Sequence, residues 1–131
     1  MRVRPNQLIL ILFLICALFC GCAKTQVTTL NSVCTFYSDN TLIEATAREL
    51  TIQGSDAEVR IRMLNFGEES ANFINAQVDF LDEAGNVLYS DQIIDEYDTP
   101  LAPGESVGVT ATCSGKDADK IKGIAVSALV Q

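Results

Sequence analysis

The chain is 131 residues long, enough for one domain around a single core, and its 17 carboxylates against 9 Lys and Arg leave a formal net charge of −8. A surface that acidic repels phosphate backbones and argues against nucleic acid as a partner. There is no His, which removes His-based catalytic triads, most zinc sites and a His proton switch near neutral pH.

Met1 to Gln7 is short and basic, with Arg2 and Arg4, and Leu8 to Phe19 is an unbroken apolar run. A membrane-spanning helix needs roughly 20 such residues, so this run has the length of a signal-peptide core instead. The stretch Leu18-Phe19-Cys20-Gly21-Cys22 resembles the bacterial lipobox, with Phe19 standing where Leu is usual. That resemblance implies removal of residues 1–21, diacylglycerol on the Cys22 sulfur, and palmitate-type acyl chains that together hold the protein to a membrane. The competing readings are a plain secretory signal and an uncleaved anchor. Ala23, rather than Asp, implies sorting to the outer membrane if the envelope has one. Loss of Arg2 and Arg4 leaves seven basic residues and a net charge of −10. Residues 22–32 are polar and read as the lipidated cysteine and a tether. Residues 33–131 read as the folded domain.

Thr41-Leu42-Ile43-Glu44 has the form of a helix capping box, yet Ile43, Ala45 and Ala47 alternate and Leu50-Thr51-Ile52 is strand-like. The all-β surroundings favour a strand with a bulge. From residue 57 the dominant period is two. Val59, Ile61 and Met63 share one face, and Arg60 and Arg62 the other, placed to pair with a cross-strand carboxylate such as Asp79. Residues 65–70 form a turn, and Ile74, Ala76, Val78 and Phe80 are the inward row of the next strand. Residues 82–86 read as a hairpin, in which Gly85 and Asn86 tolerate positive φ. Val87 to Ile94 returns as a strand, and residues 95–104 form an acidic, proline-containing loop. Val107 to Cys113 is a strand, residues 115–120 a polar turn, and Ile121 to Val130 the closing strand, with Ile124, Val126, Ala128 and Val130 on one face. About seven short strands at roughly ten-residue spacing predict an all-β, immunoglobulin-like β-sandwich.

Outside the signal and Cys22, two cysteines remain, Cys34 and Cys113. An even number in an oxidising compartment suggests a disulfide; closing a loop of about 80 residues, it would contribute about 4 kcal/mol in the chain-entropy view. The alternative is two separate buried thiols.

Val59 to Val130 resembles the FxLYD-type and related immunoglobulin-like domains of bacterial envelope lipoproteins. The resemblance is carried by the strand ending at Asn65, by Val78-Asp79-Phe80-Leu81-Asp82-Glu83-Ala84-Gly85-Asn86-Val87-Leu88, and by the turn Leu101-Ala102-Pro103-Gly104-Glu105. Leu81, not Tyr, precedes Asp82. The resemblance implies the sandwich and no particular activity.

No catalytic constellation, Gly-rich phosphate loop or calcium loop is present, and no cofactor or small-molecule substrate is implied. Asp91, Asp95, Glu96 and Asp98, around Tyr97, are the one cluster with the chemistry to hold a hard cation such as Ca²⁺. The plainer reading is a solvated acidic loop. Tyr37, Tyr89 and Tyr97 read as a binding patch or as rim residues of the core. The expectation is an extracytoplasmic, membrane-anchored binding or structural module of the cell envelope, not an enzyme. Its partner would be an envelope protein or surface component, engaged through the 91–98 segment and the 65–72 turn. The alternative is a calcium-binding envelope protein.

Overall fold

Alternating apolar residues force this chain into sheets that each bury one face. The computed structural model describes residues 24–130. It has seven strands: β1 (Thr25–Ser38), β2 (Thr41–Gln53), β3 (Asp56–Asn65), β4 (Ala71–Leu81), β5 (Val87–Leu101), β6 (Ser106–Ser114) and β7 (Gly123–Ala128). A single 3₁₀ turn, Ala118–Lys120, precedes β7. One sheet has the order β1-β2-β3-β6 and the other β5-β4-β7, with every pairing antiparallel. The chain crosses between the layers after β3, β5 and β6, which is the wiring of an immunoglobulin-like sandwich with β1 added beside β2.

The core lies between the layers. Val59, Ile61 and Met63 of β3 and Ile74, Ala76, Val78 and Phe80 of β4 are fully buried, as their alternation predicts. Removing a side chain the size of Ile61 or Phe80 from water contributes roughly 1.5–3 kcal/mol. In β2 the alternation of Ile43, Ala45 and Ala47 resumes at Leu50 and Ile52 because a bulge lies between Ala47 and Leu50. Residues 41–53 are therefore the bulged strand, not a helix.

Three boundaries differ from the sequence expectation. Residues 25–32 are not a tether but the first half of β1, paired with β2 from Thr25↔Gln53 onward. Their Thr and Val content suits a strand, but only Leu30 among them is buried, so no alternation shows. Residues 95–101 are not a loop but the end of β5. Its acidic residues and Pro100 are tolerated because β5 is the edge of its sheet. In the closing strand Ile124 and Val126 are buried, whereas Ala128 and Val130 are exposed.

Candidate functional site

The two sheets present open edges side by side at β5 and β6. Successive main-chain groups of a strand point to opposite sides. Those of Gln92 and Ile94 on β5, and of Gly108 and Thr110 on β6, face away from their paired neighbours β4 and β3. One carboxylate brackets the two edges. Asp91 accepts the Gln92 backbone N–H at 2.9 Å on Oδ1 and the Thr112 backbone N–H at 2.9 Å on Oδ2. Beyond that bracket lies an open crevice of about 550 Å³, lined by Gln92 to Asp95 and Gly108 to Thr110. Ile93 and Val109 are its buried apolar members, and Ile94 stands exposed beside it.

Strand geometry separates the four carboxylates of the sequence cluster. Asp91, Asp95 and the half-buried Tyr97 alternate with Glu96 and Asp98, which are exposed on the other side. Among the described residues no group of three His, Cys, Asp or Glu is arranged to hold a metal ion. Asp82 is committed elsewhere, accepting the backbone N–H groups of Asn86 at 2.8 Å and Ala84 at 3.0 Å and the Asn86 side chain at 3.1 Å. These bonds, chiefly those from Asn86, hold its carboxyl below the usual carboxylate range.

The three tyrosines do not form one patch. Tyr37 is exposed on β1. Tyr89 accepts the Asp117 backbone N–H at 2.9 Å and lies against Gly115, where any Cβ would strike its ring. Tyr97 has a buried hydroxyl without a hydrogen-bond partner. Burial, with a smaller contribution from the Asp95 charge, pushes it up to about 12.

Asn65, fully buried at the end of β3, organises the 66–70 connection. Its Oδ1 accepts the Thr41 hydroxyl at 2.9 Å and the Gly67 N–H at 3.1 Å. Its Nδ2 donates to the carbonyls of Glu69 at 2.7 Å and Leu101 at 2.9 Å. Gly67 packs so closely on Thr41 and Leu42 that a Cβ there would collide with both. The hydroxyl that resembles a helix cap in the sequence is thus spent on Asn65.

The expected Cys34–Cys113 disulfide is not formed; both are free thiols. Cys34 lies in the row Cys34–Ala45–Met63–Val107, and Cys113 is six residues further along β6. Three strand spacings and that rise put them on the order of 20 Å apart, well beyond disulfide reach. Burial first, then the Asp91 and Asp56 charges, push the Cys113 thiol up to about 11. Cys22, the expected lipid site, lies outside the described residues.

Arg60 and Arg62 do not meet Asp79, which belongs to the other sheet and accepts Gln77 at 2.9 Å and Ser90 at 2.6 Å. Instead they share the outer face of the first sheet with Thr46, Arg48 and Glu49. Arg48 and Glu49 stand at the β2 bulge, whose place between Ala47 and Leu50 the pairing fixes. Asn65 carried no sequence signal beyond a polar residue ending an apolar strand.

The fold and these surfaces define an immunoglobulin-like β-sandwich with open strand edges. No known family, characterised protein or solved structure matches the chain.

Proposed function

We propose that this protein is an extracytoplasmic lipoprotein, held to a membrane through Cys22, whose sandwich is a non-catalytic binding module of the cell envelope. The observation that carries the binding reading is the β5–β6 crevice. Main-chain donors and acceptors at Gln92, Ile94, Gly108 and Thr110 offer an extended segment of a partner a ladder to complete. Asp95, Glu96 and Asp98 on the adjoining strand favour a basic partner. The resemblance to envelope-lipoprotein domains supports the same reading.

Two features support the anchor beyond the lipobox. Strand β1 begins at Thr25, so only Ala23 and Lys24 lie between Cys22 and the sheet. All four lysines, Lys24, Lys116, Lys120 and Lys122, lie at that end of the sandwich or beside it in sequence. The backbone bonds Gly115 N–H to Ser55 and Lys122 N–H to Leu81 place them there. Anionic headgroups attract such a cluster.

A photo-crosslinking residue at Ile94, in cells carrying the full chain, tests the crevice. A discrete adduct is expected that disappears with Thr110→Pro, which removes an N–H not used by the β3 ladder. An adduct equally strong from Val27 on the far edge, or unchanged by Thr110→Pro, would sink the crevice. The anchor is tested separately by the intact mass of the mature protein, where an unmodified residue 22 would remove it.

A further inference from the structure

The seven basic residues outside the signal fall into two groups: the four lysines at one end and three arginines on one face. The arginine group is built by the bulge in β2. Pairing slips between Ala47 and Leu50, so Arg48 and Glu49 both stand opposite Arg60, while Arg62 stands beside Thr46. These five side chains line a shallow depression of about 360 Å³ on the outer face of the first sheet. All three arginines are exposed.

In a body carrying 17 carboxylates, arginines have abundant choice of partner. Yet among the described residues the one ion pair is Lys120–Asp117, at 3.0 Å. Among the described residues the only acceptor the three guanidinium groups engage is Ser106 Oγ, which takes Arg62 Nε–H at 3.2 Å. Like charges gathered in one depression repel, and among the described residues no carboxylate, Glu49 in the same depression included, forms an ion pair with them. Nor do they support the fold: the strand core is complete beneath them at Val59, Ile61 and Met63.

We infer that this depression is an oxyanion site for a phosphoryl group, gripped by the forked donors of Arg48, Arg60 and Arg62 with the Thr46 hydroxyl beside them. Guanidinium donors match the spacing of phosphate oxygens, and several forks converging on one group bind it more firmly than a single charge does. Glu49 lies in the same depression and opposes the ligand, so it sets the affinity low. The site does not depend on lipid at Cys22. A phosphoryl group reaches it either free or as part of a membrane headgroup.

The test is NMR of the full chain in neutral detergent micelles, titrated with inorganic phosphate at low ionic strength. Saturable shifts confined to Thr46, Arg48, Arg60, Arg62 and their β6 neighbours are expected, weakening as sodium chloride is added. Joint substitution Arg48→Gln, Arg60→Gln and Arg62→Gln should lower affinity at least tenfold with the spectrum otherwise unchanged. Glu49→Gln should tighten binding roughly threefold, the effect of removing one repelling charge in water. Nanodiscs of neutral or anionic phospholipid distinguish the sources: shifts in anionic discs without added phosphate assign a headgroup, and shifts only on adding phosphate assign a free ligand. Shifts that never saturate, that spread over the whole surface, or that survive the triple substitution overturn the site.

Discussion

Asn65 ties three parts of the chain together with one side chain. Its four hydrogen bonds reach the start of β2, the 66–70 connection and the end of β5. Asn65→Ala leaves buried partners unsatisfied at Thr41 and Leu101, each costing about 1–3 kcal/mol, so a loss of about 3 kcal/mol is expected in urea unfolding. A loss below 1 kcal/mol would show that water replaces the amide. The thiols make a second residue-scale case. With Cys34 and Cys113 free, alkylation of native protein without prior reduction should label both, and a reductant should leave the melting temperature unchanged. Cys113 should react at least tenfold more slowly than an unhindered thiol at pH 8, because its raised pKa keeps the reactive thiolate scarce. Tyr97 gives a pH dependence of definite sign. Its pKa is higher folded than unfolded, so its contribution is complete below pH 10 and is lost between pH 10 and about 12. Tyr97→Phe, which also removes a buried hydroxyl without a partner, should flatten the fall in melting temperature over that interval. None of these roles is visible in the sequence, since a hydrogen-bond hub and a distance between sulfurs exist only once strands pair.

At the scale of the element, legibility followed burial. β3 and β4 sit inside their sheets, each residue facing either core or solvent, and the period-two signal is complete at Val59, Ile61 and Met63 and at Ile74 through Phe80. β1 and β5 are edge strands in which only scattered residues are buried, Leu30, Phe36 and Ser38 in the first and Ile93 and Leu101 in the second, so polar residues intrude and the alternation fades. For the same reason the acidic segment 91–98 looks like a loop in the sequence and is an edge in the structure. Asp91 is where that edge is managed. Its carboxylate bonds to two outward N–H groups, one from each sheet, which would otherwise invite another chain to pair. Asp91→Ala should quicken amide exchange at Thr112 while that of β3 stays slow, at a stability cost of about 1 kcal/mol. Unchanged exchange at Thr112 would mean that the bracket contributes nothing in solution.

At the scale of the whole fold, the cations of the described residues are sorted. Lysines gather at the end where β1 begins, arginines on the outer face of the first sheet, and the opposite end, with Asp39, Glu68, Glu69 and Glu105, carries neither. If Cys22 carries lipid, the missing tether has a mechanical consequence. The three Cα steps from Cys22 to Thr25 reach about 10 Å even when extended, so the end bearing Thr25, Gln53 and the 115–122 segment must sit at the headgroups. The end bearing Asn40 must then point away, a strand length of about 40 Å further out. The chain has no Trp, so Gln53→Trp and Asn40→Trp each place a single reporter at one end. In lipidated protein on vesicles carrying a dansyl headgroup, energy transfer from position 53 should be strong and from position 40 near background. Equal transfer would mean that the sandwich lies on its side or swings freely, and that lysine sorting has a cause other than the membrane. The arginine face, parallel to the strands, would in the upright orientation look sideways along the membrane, open to phosphoryl groups approaching from the solvent layer above the headgroups.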